Sequence, residues 1–130
     1  MVPSNAAGSR AHPAHVLDFE LFQELRESLG NELEIVAGLY RRFLAHTAKT
    51  LAELREQPEA TRAATLHALK GSAAMVGANR IAAIAGQLQE SQAHEAIALQ
   101  SSALDALDGA LAEFRLALSA HLESLGHRLT

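Results

Sequence analysis

The 130-residue chain has no cysteine, no tryptophan and a single tyrosine. Without cysteine it cannot form a disulfide, present a thiolate nucleophile or build a cysteine zinc site. Aromatic residues make up only 4% of the chain and β-branched residues are few, which disfavours a β-rich core. Alanine and leucine, both strong helix formers, are abundant, so the composition favours an all-α protein.

Clusters of basic residues and long apolar runs are also missing. The net charge is −4 and the Lys and Arg residues are spread out, so the chain lacks the electrostatic footprint of a nucleic-acid-binding surface. No stretch approaches 18 uninterrupted apolar residues, and no basic segment precedes an apolar run at the N-terminus. We therefore expect no nucleic-acid partner, no direct membrane contact and a cytoplasmic location.

The chain is long enough for one domain. Hydrophobic residues make up 48% of it, which is sufficient for one core. Residues 1–16 combine prolines, a glycine and small polar residues without periodicity, so we expect a flexible tail there. Residues 17–126 are expected to form the domain.

Two helices are predicted in the first half of the domain. A short one follows Asp18, a suitable N-cap, and stops before Gly30. Asn31 and Glu34 resemble a capping box that opens a long second helix. That helix should end before Pro58, because proline is excluded from a helix interior.

Three more helices are predicted in the second half. The third runs from about 58 to 76 and the fourth from about 79 to 93, while the fifth begins between 94 and 102 and ends before Gly126. The fifth helix carries a bundle seam at steps of three and four: Leu104, Leu107, Leu111, Phe114, Leu118, Leu122 and Leu125. Short turns between long amphipathic helices predict an all-α antiparallel four-helix bundle with an additional short N-terminal helix.

The third helix places a histidine outside its apolar stripe. The stripe consists of Leu66, Leu69, Ala73 and Val76. His67 lies about 100° away from Leu66 around the helix. Its face also holds Ala63, Lys70, Gly71 and Ala74. Because most of these neighbours are small, we expect another protein to be able to reach the ring.

Gly71 needs a reason, because glycine in a helix interior costs about 1 kcal/mol relative to alanine. It either packs tightly against a neighbouring helix or leaves room for a partner near His67, and its place one turn from the ring favours the partner. The ordinary pKa of a histidine side chain is about 6.5, so such rings are largely neutral near pH 7 and offer a nitrogen lone pair. Lys70 could pair with an oxyanion carried on the ring.

Residues 67–89, HALKGSAAMVGANRIAAIAGQLQ, resemble histidine-containing phosphotransfer (HPt) domains. The shared pattern is a histidine followed after two residues by Lys-Gly, then small residues, and a Gly-Ala turn about ten residues past the histidine. Residues 38–54, GLYRRFLAHTAKTLAEL, resemble the second helix of that family. The resemblance covers roughly residues 17–125.

The resemblance implies a role for each matching residue. His67 would be phosphorylated on its exposed ring nitrogen, Lys70 would steady the phosphoryl group, and Gly71 would give a receiver domain room to dock. Gln89 would hydrogen-bond the other ring nitrogen. One departure lies on the fourth helix, where the family often has a larger leucine or cysteine and this chain has Ile84, Ala85 and Gly86. The departure is expected to thin the packing behind the site.

The resemblance also implies a function and its partners. The chain would relay a phosphoryl group between receiver-domain aspartates, as a phosphocarrier without autokinase activity. It would need no cofactor or metal of its own, because Mg²⁺ is expected on the partner receiver domain. We expect a monomer that works with response-regulator receivers. Whether it is free-standing or the cytosolic domain of a membrane-bound hybrid sensor kinase stays open.

Other kinds of protein also carry a functional histidine on a bundle helix. Kinase dimerisation domains follow the phosphorylated histidine with an acidic residue and soon a proline, whereas Ala68 follows His67 and no proline comes. A di-metal carboxylate bundle needs Glu-x-x-His pairs, and none of the seven histidines has a glutamate three residues before it. A non-catalytic helical protein-interaction module remains the alternative. Gln89 can be an ordinary polar surface residue, and Met75 is expected to fill the core.

Overall fold

A computed structural model describes residues 16–91 and 97–129. Within these ranges lie five helices, in the predicted order: α1 (Phe19–Ser28), α2 (Leu33–Glu56), α3 (Glu59–Met75), α4 (Asn79–Ser91) and α5 (Ile97–Ser124). Residues 1–15, which carry nearly all of the predicted tail, lie outside the described part of the chain. None of the described helices is long and apolar enough to cross a membrane.

Helices α2 to α5 form a closed ring. Helix α2 packs against α3 and α5, and α4 packs against the same two helices from the opposite side. Short turns join α2 to α3 and α3 to α4, so these neighbours run antiparallel. Helix α1 packs on α2. The predicted antiparallel four-helix bundle with an additional short N-terminal helix is thus confirmed.

The core follows the predicted seam of α5. Leu104, Leu107, Phe114, Leu118 and Leu122 are buried, while Leu111 and Leu125 are partly buried and pack against them. Burying each large apolar side chain stabilises the fold by about 1.5–3 kcal/mol, so this seam is a main source of stability.

An aromatic cluster, which the apolar spacing did not reveal, joins α1, α2 and α5. The Tyr40 ring stacks on Phe22 with centroids 5.6 Å apart and lies 6.0 Å from the ring of Phe114. The buried Tyr40 hydroxyl donates a hydrogen bond to the carbonyl oxygen of Val76 at 2.9 Å. This bond fixes α2 to the end of α3, nine residues past His67.

The predicted capping box at the start of α2 is wrong. Asn31 has a left-handed φ of +62° and its N–H donates to the carbonyl of Arg26 at 2.8 Å, so it closes the end of α1 and cannot take the extended conformation of an N-cap. Glu32 is the N-cap of α2, without a side-chain hydrogen bond. The Glu34 carboxylate instead accepts a hydrogen bond from Arg41 at 2.7 Å.

Packing continues beyond residue 126, where the domain was expected to end. Leu129 is 4% exposed and belongs to the core cluster. Arg41 donates to the carbonyl of Leu129 at 2.6 Å, and His127 lies 3.1 Å from the carboxylate of Glu34. The chain after α5 therefore folds back onto α2.

Candidate functional site

Helix α3 turns its apolar stripe inward and His67 outward. Leu66, Leu69 and Ala73 are at most 3% exposed, because they face the centre of the ring of helices. His67 is exposed, as the spacing predicted. Its neighbours on the same face are exposed or half-buried: Ala63, Lys70, Gly71 and Ala74. The structure therefore places all five predicted residues of α3 on one accessible face.

The space above Gly71 is open. A Cβ atom added to this residue would meet no atom within 4 Å among the described residues. Of the two reasons that the sequence left for this glycine, tight packing against a neighbouring helix is therefore not what the described structure shows. The helix surface beside His67 is free for an approaching molecule.

Lys70 leans toward α4. A Cβ atom built on Gly86 would lie 3.4 Å from both Cδ and Cε of Lys70, and 3.5 Å from its Nζ. Gly86 is buried, although it belongs to the flank of α4 next to an exposed lysine. The space that the small residues of α4 leave open is therefore occupied by the stem of Lys70. The sequence singles out Gly86 as a departure from the family pattern, but no local pattern connects this residue with Lys70.

Gln89 lies level with His67 across the α3–α4 pair. Lys70 is opposite Gly86, and the two helices run antiparallel. His67, three positions before Lys70, is therefore level with Gln89, three positions after Gly86. Gln89 is half-buried there. Within the described part of the chain no hydrogen bond joins its amide to the His67 ring, so its role stays a prediction.

A shallow groove of about 530 Å³ runs along the other flank of α3, between α2 and α3. It is lined by His46, Thr50, Glu53, Ala64, Thr65, Ala68, Leu69 and Ser72. The hydroxyl of Ser72 donates to the carbonyl of Leu69 at 3.1 Å, as expected for a helical serine. The His67 face is thus bounded by a lysine on the α4 side and by a groove on the α2 side.

The expectation that Met75 fills the core is wrong. Met75 is 74% exposed, because Ala73 and Val76 occupy the inward positions at this end of α3. It lies one turn beyond Gly71, on the outer side of the helix. A large apolar side chain therefore extends the accessible face away from His67.

Two other histidines belong to packing contacts elsewhere. The ring of His121 meets Phe19 and Phe22 edge-on, with centroids 4.9 and 4.6 Å apart. Partial burial, and then the charge of Arg26, lower the pKa of His121. His127 binds Glu34, so both rings have evident structural partners.

The described residues offer no resident metal centre. Among them, no group of three or more His, Asp and Glu side chains could hold a metal ion. The described part of the His67 face itself contains no carboxylate beside the ring on α3, where its neighbours are alanine, glycine and lysine. The chemistry that this face can offer is that of an imidazole nitrogen and an ammonium group.

Comparison with known proteins agrees with this geometry. No curated protein and no solved structure matches the chain. A family model, the Hpt domain, matches residues 19–122, which span α1 to nearly the end of α5 and include the whole His67 face. Hpt domains are helical bundles that act as histidine phosphocarriers in phosphorelays and interact with receiver domains. Because the match covers most of the chain, the protein belongs to the Hpt domain family.

Proposed function

We propose that His67 accepts a phosphoryl group from a receiver-domain aspartate and passes it to the aspartate of another receiver. The observation that carries the proposal is the exposed His67 residue on a helix face where a Cβ added to Gly71 would meet nothing within 4 Å. A receiver domain must bring its aspartate to within bonding distance of the ring, and small neighbours permit that approach.

The proposed transfer balances without any further reactant. A lone pair on one ring nitrogen attacks the phosphorus of the receiver's aspartyl phosphate. The N–P bond forms, the bond between phosphorus and the aspartate oxygen breaks, and its electron pair leaves with the carboxylate. The ring loses its added positive charge when the proton on its other nitrogen passes to solvent. In the second transfer a carboxylate oxygen of the next receiver attacks the phosphorus. The new O–P bond forms, the N–P bond breaks, its electron pair stays on the ring nitrogen, and the ring takes back a proton from solvent.

The groups around His67 indicate which parts of the reaction this chain and the receiver domain would each supply. Transfer needs cationic groups at the developing charge and groups that orient the phosphorus, whereas the described α3 residues around His67 supply an imidazole and one ammonium group. We propose that Mg²⁺ and the acid–base groups belong to the receiver. This chain is then a phosphocarrier, whose part is to hold the phosphoryl group on an accessible nitrogen.

Lys70 is proposed to steady the phosphoryl oxygens. It lies one turn from His67 and its side chain is long enough to reach a group on the ring. Because the ammonium group of Lys70 and the phosphoryl oxygens would be exposed to solvent and screened by salt, Lys70→Ala should slow transfer by about tenfold rather than abolish it. Lys70→Arg should restore part of the rate, since the charge remains while its geometry changes. A rapid-quench assay at two salt concentrations measures this, and an unchanged rate for Lys70→Ala at both would reduce the site to the histidine alone.

The central test is His67→Gln, assayed with receivers that have been charged by acetyl phosphate. The variant should keep its helical circular dichroism and its melting temperature, because an exposed residue contributes within about 0.5 kcal/mol. It should accept no phosphoryl group. His46→Gln is the matched control, since His46 is also exposed and lies across the groove on α2. Labelling of His67→Gln would remove the proposal, and receiver binding without labelling of the wild type would favour the helical interaction module.

A further inference from the structure

The stem of Lys70 lies in a notch that exists because residue 86 has no side chain. The would-be Cβ of Gly86 is 3.4 Å from Cδ and Cε of Lys70, which is close to van der Waals contact. Gly86 itself is buried even though Lys70 is exposed. We propose that Gly86 is a positioning residue for the site: by letting the Lys70 stem pack low against α4, it restricts the positions of the ammonium group, one helical turn from His67, and keeps the stem away from the surface over Gly71. The inference rests on the function proposed for His67.

The distances define how large a side chain the notch accepts. A methyl group at residue 86 would lie 3.4–3.5 Å from Lys70, so alanine fits with almost no movement of the lysine. Any branched or longer side chain would occupy the space of the lysine stem. Because the stem is flexible, it would move out toward solvent instead of distorting the helix pair.

Restricting the Lys70 stem matters because its ammonium group is proposed to act at one place, the phosphoryl group on His67. A free lysine side chain samples many rotamers, so its ammonium group spends little time at any one position. Packing the Cδ and Cε atoms against α4 removes many of these rotamers. It also leaves the surface over Gly71 clear, where a Cβ would meet nothing within 4 Å and where a partner would have to approach.

The kinetic test compares Gly86→Leu with Gly86→Ala. Leucine should displace Lys70 and slow phosphotransfer by about five- to tenfold, no more than Lys70→Ala does, while alanine should leave the rate within about twofold of the wild type. Gly109→Leu is the matched control, because Gly109 is an exposed residue of α5 with nothing within 4 Å of its Cβ position. Circular dichroism and melting curves establish that all three variants fold.

The decisive arm is the double variant. If Gly86 acts through the lysine, adding Gly86→Leu to Lys70→Ala should change the rate by less than about twofold, because there is no longer a lysine to displace. If the leucine slows the Lys70→Ala protein as much as the wild type, Gly86 acts on docking or packing and the inference is overturned. An unchanged rate for Gly86→Leu alone would overturn it as well.

A second measurement needs no phosphorylation. The chain has two lysines, Lys49 and Lys70, and Lys49 is an exposed residue of α2. In a protein labelled with ¹³C-lysine, the Cε of Lys70 should be more ordered than that of Lys49, and Gly86→Leu should lower its order parameter to the Lys49 value. Equal order for both lysines in the wild type would refute the positioning role. If instead the lysine is ordered but His67→Gln is still labelled, the proposed function fails while the contact stands.

Discussion

Gly77→Ala tests the turn that joins α3 to α4 and thereby sets the register between the two helices. Gly77 has a left-handed φ of +79°, and an alanine held there costs about 1–2 kcal/mol. Its Cβ would also lie 2.9 Å from the Cβ of Asp18 and 3.3 Å from the backbone N and O of that residue. Non-bonded carbon atoms normally stay about 3.5–4 Å apart, so the chain at Asp18 would have to move.

Moving Asp18 weakens two hydrogen bonds. Its N–H donates to the carbonyl of Gly77 at 2.9 Å, and its carboxylate caps α1 by accepting from the N–H of Leu21 at 3.0 Å. Each bond contributes about 1 kcal/mol. We therefore expect Gly77→Ala to lower the free energy of unfolding by about 3 kcal/mol, a large part of the 5–15 kcal/mol typical of a domain.

The assay is urea unfolding followed by circular dichroism, with Gly126→Ala as the control. Gly126 has nearly the same φ, +80°, but nothing lies within 4 Å of its Cβ position, so this control measures the backbone strain alone. It should lose about 1–2 kcal/mol, which corresponds to roughly 5 °C in melting temperature against roughly 10 °C for Gly77→Ala. If both variants lose the same free energy, the close approach of Asp18 contributes nothing and the reasoning is refuted.

Three further predictions concern the site and the core. Gly71→Glu should keep the fold, since its Cβ position is open, but weaken receiver binding at least tenfold in calorimetric titration; equal affinity would mean that the partner does not approach over this glycine. Tyr40→Phe should lower the free energy of unfolding by about 1–2 kcal/mol in urea, because the buried carbonyl of Val76 loses its donor, and a neutral result would contradict the importance of that bond. Burial lowers the pKa of His121 below 6.5, so the unfolded chain binds the proton more readily. The melting temperature should therefore fall as the pH drops through 6.5 toward that lowered pKa, and the slope should be shallower in His121→Gln; equal slopes would assign the pH dependence to other groups.

Local patterns were sufficient for most of the helix boundaries. Asp18 caps α1 as expected, and the glycines at positions 30, 77 and 126 all have positive φ after helices. These features depend on a few neighbouring residues and on backbone sterics, which a sequence displays directly. The predicted capping box is wrong because an asparagine after a helix can either close that helix or open the next one. Asn31 closes α1 through its hydrogen bond to the carbonyl of Arg26.

Side chains that meet across helices were harder to predict. Met75 has a large apolar side chain, which is typical of the core, but it lies on the outer side of α3. Burial depends on where the neighbouring helices lie. Tyr40 was missed for the same reason, since its partners Phe22, Phe114 and Val76 lie on three other parts of the chain.

By itself, the sequence determined the helical class, the bundle seam and the exposed position of His67, because each follows from helical periodicity along a single segment. Only the tertiary structure decided that the space above Gly71 is open and that the stem of Lys70 lies against Gly86. Those two facts depend on the distance and register between α3 and its neighbours. Packing of the whole bundle sets both quantities, and no local pattern encodes them.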